Sequence, residues 1–564
     1  MGEPVHEPWT VPEARALTLA SGAQAVVDQI LDRRSRTATE AWTGRLAEDE
    51  LRTQAAEIDR RLADGEDLPL AGVPFAVKDN IDVAGVPTTA ACAPFANVPG
   101  ESAWVVQQLL AAGGIFVGKT NLDQFATGLV GTRSPHYGVC RNPFDDRFIV
   151  GGSSAGSALA VASGEVPLAL GTDTAGSGRV PAALCGIVGT KPTRGLVSTD
   201  GVVPAMASFD CVSWFTADVD DGATVFDVLL GAGPRAAVPT RLGVPTGIDW
   251  CGDDDARQLF ERALDELRAR GFTIVDVDGA VLREAGAMLY GSALTAERHL
   301  AFGEFAAAHP DEMEPGVAEI VAAAGRHDLA AYVAARAALV PLQAQAALLF
   351  HDVDALVLPT VARVPTVDEA LTDRLGPSLE LGRLTAFVNP LGFAAISVPA
   401  GVRDTGVPFG ISFVGPAGSD RSLLALAGAD ASPRPCSIAV VGAHLSGQPL
   451  NHQLTDLGAV LTQSTTTAPA YRLYALDTTP PKPGLVRAAE AGAAIELEVW
   501  SMSERGLGAF VHAIPAPLGV GKVELADGSE VTGFLCEPLA VEGAAEITHH
   551  GGWRAYLAYL ASLE

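Results

Sequence analysis

The sequence predicts an α/β protein, a mixed β-sheet covered by helices, followed by a smaller α+β domain. Three observations lead there. Short apolar runs that read as strands alternate with amphipathic stretches of helical period over most of the chain. A helix closed by glycine and followed by a strand occurs twice, around Gly113-Gly114 and around Gly271. Near residues 427–435 the pattern breaks into Ala-Gly-Ala-Asp-Ala-Ser-Pro-Arg-Pro, a linker composition, and strands resume beyond it. The expected organisation is a catalytic domain over 1–430 with lead-in helices, a linker over 431–436 and a second domain over 437–564.

Taken in order, residues 10–63 place Ala14, Leu17, Leu19, Val26, Val27, Ile30 and Leu31 at helical spacing and predict two or three lead-in helices. Residues 70–78 form an apolar strand that ends on Lys78 and runs into Asp79. Residues 102–112 are an amphipathic helix, and 115–119 the strand after it. The apolar run 158–170 is long enough for a helix and a returning strand. Residues 242–245 start a similar unit, whose helix carries Leu259, Phe260, Ala263, Leu264 and Leu267 on one face, with the strand 272–275 to follow. Residues 354–359 and 394–400 are apolar enough for buried strands. Beyond the linker, 437–442, 471–476, 494–500 and 521–525 read as strands, with turns at Pro480-Pro481 and Asp527-Gly528.

Composition excludes several functions. With 38 Lys and Arg against 67 Asp and Glu, the formal charge is −29, which repels nucleic acid and anionic membranes. An anionic substrate would need a local cation. Seven scattered cysteines without a CxxC pair point to a reduced, zinc-free, cytoplasmic protein. The first residues lack the basic and apolar parts of an export signal, and no apolar run is expected to span a bilayer. His549-His550 has no partners at ligand spacing, so no metal is called for, and neither is a cofactor.

The chemistry concentrates in two glycine-rich loops, Gly151-Gly-Ser-Ser-Ala-Gly-Ser157 and Gly171-Thr-Asp-Thr-Ala-Gly-Ser-Gly-Arg-Val-Pro181. They present Ser153 and Ser177, and a return of the backbone between them lets both reach one pocket. A serine hydroxyl needs a base to become a nucleophile, and Lys78 at the end of its apolar strand can be that base if burial keeps it neutral. Asp79 projects to the opposite face of the strand. Backbone N–H groups of Thr174, Ala175 and Gly176 form the expected oxyanion hole, while Asp173 and Arg179 are read as braces of the loop. Gly113-Gly-Ile-Phe-Val-Gly-Lys-Thr120 fits a phosphate-loop string, but a helix precedes its first glycine and a strand fills its middle, so it is taken as a chance match.

These motifs, with Val77-Lys-Asp-Asn80 and Ser208-Phe-Asp210, closely resemble the amidase signature family. The resemblance implies the amidase signature fold and a triad in which Ser177 is the nucleophile, Ser153, after a cis peptide, relays the proton and Lys78 is the base. Thr-Asp-Thr-Ala-Gly-Ser-Gly-Arg-Val-Pro-Ala resembles the allophanate hydrolases in particular, and Val440-Val-Gly-Ala-His-Leu-Ser-Gly447 with Gly551-Gly-Trp-Arg-Ala-Tyr556 looks like their C-terminal domain. Carried over by spacing, Tyr290 and Arg298 would hold the substrate carboxylate of allophanate, and Gly128 would make a backbone contact. Arg298 can otherwise be a helix arginine paired with Glu297 or Glu284. In the second domain His444, at the end of a predicted strand, is the candidate for removal of CO2 from the first product. A homodimer is expected, and in a competing reading the second domain is a binding or oligomerisation module that holds the enzyme in an assembly with a biotin-dependent urea carboxylase. The alternative is a broad-specificity amidase, or the amidase subunit of an amidotransferase, with the same triad and the C-terminal domain as an assembly module; such a subunit would need partner proteins and would lack that domain.

Overall fold

A computed structural model of the chain describes residues 8–233, 236–430, 435–455, 457, 459–488 and 490–563. The fold divides into two compact units, Met1–Ala431 and Ser432–Glu564. The first is built on eleven strands: β1 Trp42–Arg45, β2 Pro74–Lys78, β3 Ile115–Thr120, β4 Leu168–Asp173, β5 Val188–Lys191, β6 Cys211–Thr216, β7 Arg241–Pro245, β8 Thr273–Val277, β9 Ala355–Pro359, β10 Ala394–Val402 and β11 Pro408–Gly415. They lie in one sheet in the order β1-β3-β2-β4-β6-β5-β10-β11-β9-β7-β8. β2 runs parallel to β3 and β4, and β7 runs parallel to β8 and β9. The pairs in the middle, such as β4 with β6 and β10 with β11, are antiparallel. The sheet is mixed, as the alternating pattern implies.

Strands β2, β3, β4 and β6 are buried at every residue because helices cover both faces. Leu168, Leu170, Trp214 and Phe215 belong to the main core. The lead-in helices α1 (Val11–Ser21), α2 (Ala23–Arg33) and α3 (Glu48–Ala63) stand where expected. α1 starts at a capping box, in which Thr10 and Glu13 satisfy each other's backbone amides. The short edge strand β1 lies between α2 and α3 and carries no apolar run to announce it. Helix α4 (Trp104–Ala111) crosses from β2 to the parallel β3. The string at 113–120 is therefore a turn and a buried strand, and Lys119 is used inside the fold.

Two expectations are corrected in this unit. The helix Asp420–Asp430 continues through 427–430, where the composition suggests a linker; alanines sustain it. The helix Leu329–Leu348 and the turn after it form one apolar run, Leu329–His351, of 23 residues with mean hydropathy 1.4, long and apolar enough to cross a membrane by length and composition alone. Its stripe Ala335, Leu339, Leu342 and Ala346 is buried in this unit.

The second unit holds a five-stranded sheet in the order Val460–Thr466, Glu496–Ser503, Pro435–Val440, Glu530–Cys536, Leu518–Glu524, and a three-stranded one in the order Lys482–Arg487, Tyr471–Leu476, Ala545–Glu546. The predicted linker at 431–434 lies outside the described residues, whereas Pro435 and Cys436 already belong to a strand. The proline-rich turn contains a cis Thr479–Pro480 bond.

Candidate active site

Strand β2 delivers Lys78 to the interior. Its ammonium is fully buried, donates to Ser153 Oγ at 2.8 Å and to Thr172 Oγ1 at 2.7 Å, and pairs with no carboxylate among the described residues. Burial draws its pKa down to about 7, against the smaller opposing pull of Asp123, Asp210 and Asp173. The neutral amine is therefore accessible at ordinary pH. Asp79 turns to the other side and takes Lys119 Nζ at 3.0 Å, along with the hydroxyl of Thr89.

Ser153 follows a cis Gly152–Ser153 peptide at the start of α5 (Ala155–Ala162), and β4 brings the chain back to Thr172 and Asp173. The Ser154 amide donates to the Ser177 carbonyl at 3.4 Å, and Ser154 Oγ donates to the Thr172 carbonyl at 3.1 Å. The two serine loops are thereby stitched side by side. Ser177 is buried and stands just before helix α6 (Arg179–Cys185).

Asp173 organises the loop that holds Ser177. Its carboxylate accepts from the amides of Gly176 at 2.9 Å and Gly178 at 3.1 Å and pairs with Arg179, also at 2.9 Å. Burial pushes its pKa up, but Arg179, Lys191 and the Gly178 amide outweigh this and hold it below the ordinary carboxylate value. Arg179 and Asp173 thus brace the loop. The Gly176 amide, included in the expected oxyanion hole, is already engaged by Asp173. Thr174 and Ala175, with Ser177 itself, have amides with no acceptor among the described residues. Gly176 has φ +135°, and a Cβ there would sit 2.3 Å from Thr385 Oγ1, so this position admits no side chain.

A second constellation lies beside the first. Arg298 is buried and donates from Nη1 to Thr127 Oγ1 at 2.7 Å, while its Nε has no hydrogen-bond partner. Glu297 is committed elsewhere, accepting from the Ser208 amide at 2.8 Å and the Tyr332 hydroxyl at 2.6 Å; Glu284 is exposed. Neither forms the ion pair that would make Arg298 an ordinary helix arginine. Burial lowers the Arg298 pKa, and Tyr290 and Asp210 counter it in part. Tyr290 is half-buried; the surrounding protein pushes its hydroxyl up to about 12, and nearby Arg298 is the first influence against that rise. Gly128 follows Thr127 directly, has φ +149°, and would place a Cβ 2.7 Å from Asp123 Oδ2. Tyr290, Arg298 and the Gly128 loop therefore converge.

Asp210 links the two constellations. It accepts from Thr174 Oγ1 at 2.5 Å and from the amides of Ala205 and Met206 at 2.9 and 3.1 Å. Burial pushes its pKa up to about 6, opposed by those donors and by Arg298.

With this geometry in view, residues 25–424 match the Amidase family and residues 436–558 match the Allophanate hydrolase C-terminal domain. The chain belongs to the amidase signature family. Such enzymes are amidohydrolases acting on C–N bonds, as the buried lysine and paired serine loops lead one to expect. The urea amidolyase of Lachancea kluyveri is 40% identical over 93% of this chain and 32% of its own, and that of Saccharomyces cerevisiae 37% identical over 99% and 33%. This chain thus spans about a third of the length of the urea amidolyases it matches. A glutamyl-tRNA(Gln) amidotransferase subunit of Halobacterium salinarum is 36% identical over 65% of this chain and 96% of its own. The structure of Kluyveromyces lactis allophanate hydrolase is similar with a TM-score of 0.71 at 36% identity, over 98% of this chain and 99% of that one.

In the domain matching the allophanate hydrolase C-terminal family, His444 does not end a strand. The strand stops at Val440, and His444 sits in the turn beyond it because Gly442 and Ala443 bend the chain there. Its Nε2 meets Gln453 Oε1 at 2.9 Å, and its ring lies parallel to Phe534 at 5.3 Å. It lines a cavity of about 190 Å³ with Lys482, Gln453 and Phe510. Burial lowers its pKa, partly offset by Gln453 and reinforced by Lys482. Among the described residues no cluster of His, Cys, Asp and Glu could hold a metal.

Several site residues escape sequence reasoning. Thr172, the second partner of Lys78, is one letter in a glycine-rich run. Asn389, whose Nδ2 donates to the carbonyls of Asp173 at 2.7 Å and Phe209 at 2.9 Å, lies far along the chain. Asp123 accepts from the amides of Val130, Gly131 and Arg133 and shapes the Gly128 loop. Its place shortly before Gly128 and Gly131 is the only local signal.

Proposed function

We propose that this protein is an allophanate hydrolase in which Lys78, Ser153 and Ser177 act as a proton-relay triad. The neutral Lys78 amine accepts the proton of Ser153 as Ser153 takes that of Ser177. Ser177 Oγ attacks the ureido carbonyl of allophanate, and the C–O bond forms as electrons move onto the carbonyl oxygen. The amides of Ala175 and Ser177, with Thr174 beside them, stabilise that oxyanion. Collapse expels ammonia, which takes its proton back through Ser153. Water then attacks the acyl-enzyme and releases N-carboxycarbamate, which loses CO2.

The observation that carries the choice of substrate is Arg298. A buried guanidinium whose Nε lacks a partner, in a chain of charge −29, is stabilised when a carboxylate takes its free edge. Allophanate brings a carboxylate at one end and an amide at the other. Tyr290 and the Gly128 loop complete its binding site. A broad amidase has no use for that cation, and the amidotransferase relative, matched over 96% of its own length, covers only 65% of this chain.

In that second domain we assign His444 to decarboxylation of N-carboxycarbamate, supported by its cavity and the neighbouring Lys482. Since allophanate is urea carboxylated on nitrogen, its supplier is a biotin-dependent urea carboxylase, a function that fits the greater length of the urea amidolyases. A homodimer and a cytoplasmic setting complete the proposal.

The test is ammonia release from allophanate set beside acetamide, malonamate and biuret, for the wild type and Ser177→Ala. Allophanate is the preferred substrate and the variant is inactive on all four. Preference for acetamide would overturn the reading. His444→Asn keeps ammonia release from the first step and slows CO2 release; unchanged CO2 release would remove the assignment of His444.

A further inference from the structure

An open groove of about 900 Å³ is lined in part by Ser208 and Asp210. Two arginines meet there over one aromatic ring: the guanidinium carbons of Arg194 and Arg336 stand 5.7 and 5.4 Å from the centre of Phe209. Arg194 is half-buried and donates to the Ser208 carbonyl at 3.0 Å, while Arg336 is exposed on the helix Leu329–Leu348. Neither pairs with a carboxylate within 4 Å among the described residues. Burial, and after it the like charge of Arg336, lower the pKa of Arg194, against the opposing pulls of Cys211 and Glu297.

Two residues that line the groove, Ser208 and Asp210, are tied to the catalytic machinery. The Ser208 amide is held by Glu297, the residue before Arg298, and Asp210 is held by Thr174, three residues before Ser177. Two carboxylates also line the groove, Asp200 and Asp210; three donors already share the charge of Asp210, and Asp200 lies farther than 4 Å from both guanidinium groups. A guanidinium lying over an aromatic face keeps its N–H edges free for a carboxylate. Elsewhere this strongly acidic chain repels small anions, so two adjacent unpaired cations produce a local reversal of the field.

We propose that Arg194 and Arg336 form an outer docking site for a small carboxylate, the first station of an anionic substrate on its way to Arg298 and Ser177. This rests on the reading of the substrate as an anion, and it assigns Arg194 and Arg336 to capture and not to chemistry.

The experiment compares the full chain with the double variant Arg194→Gln/Arg336→Gln, measuring kcat and kcat/KM for allophanate between roughly 0.01 and 0.15 M salt, where screening shortens the reach of surface charge. The double variant has about tenfold lower kcat/KM at low salt, approaches the wild type at high salt, and keeps its kcat and its activity on acetamide. Equal loss on acetamide, or a salt slope identical to that of the wild type, would overturn the proposal. A binding measurement tests the arginines independently of allophanate turnover. With Arg298→Ala as parent, calorimetry detects malonate bound at the outer site, and adding the two glutamine substitutions abolishes it. Binding that survives them, or is absent from the parent, would equally overturn it. If the outer site binds malonate while the wild type does not hydrolyse allophanate, the substrate reading fails and the docking site stands.

Discussion

Lys78 and Lys119 occupy neighbouring parallel strands, with Lys119 opposite Val77 and Lys78 opposite Thr120, and both are shut away from water. Lys119 meets the Asp79 carboxylate and the Thr88 hydroxyl, each at 3.0 Å; Lys78 meets only hydroxyls. Burial draws both pKa values down, but Lys119 has a counter-charge in contact and Lys78 does not. The buried arginines repeat the contrast. Arg179 is paired with Asp173, whereas Arg298 has a partnerless Nε. Residue type and burial alone therefore do not separate a structural cation from a functional one. Within these two pairs the difference is whether a carboxylate of the fold touches the cation, and where none does, a proton or a ligand can complete the site.

The strongest way to break the contrast is to remove the unpaired lysine. Lys78→Met leaves an apolar side chain in an apolar strand, so the fold persists, while ammonia release falls by about three to four orders of magnitude, as loss of a base and its relay implies. A circular dichroism melt beside the kinetic assay checks both halves. Asp79→Ala attacks the paired lysine instead. It leaves Lys119 buried without its carboxylate and costs about 3–5 kcal/mol of stability, read as an earlier urea midpoint, with kcat per folded molecule nearly unchanged.

Arg298→Ala sharpens the second pair. Losing a charge-assisted contact of about 1.5–3 kcal/mol raises KM for allophanate about tenfold to about a hundredfold, with a smaller change for acetamide. Equal losses on both substrates would return Arg298 to a structural role beside Arg179.

What the sequence makes legible follows the same line. Lys78, Ser153 and Ser177 stand in short motifs whose glycines announce their loops, and the placement of Asp79 follows from strand alternation alone. Thr172, Thr127 and Asn389 act through contacts set by sheet order, which no local pattern encodes. The pairing of β10 with β5, more than two hundred residues earlier in the chain, is a tertiary outcome. In the second unit Val460–Thr466 gives no signal because it is mostly exposed and polar, without the alternation that marks a half-buried strand. The use of the Gly176 amide by Asp173 is equally hidden, since a glycine-rich loop shows which amides are free to turn but not which way they point.

The smallest effect is the most direct test of the lysine comparison. With a pKa of about 7 for Lys78, the base is mostly protonated at roughly pH 6 and mostly neutral at roughly pH 8, so kcat/KM on acetamide climbs about tenfold across that interval. The sign follows from the role: only the neutral amine accepts a proton, so activity grows as pH rises through that value. Thr172→Val removes an oxygen that favours the ammonium form, which moves the midpoint to lower pH while leaving the plateau comparatively intact. A midpoint that stays in place in Thr172→Val, or lies near that of an exposed lysine in the wild type, would mean that the proton leaves Ser177 by another route.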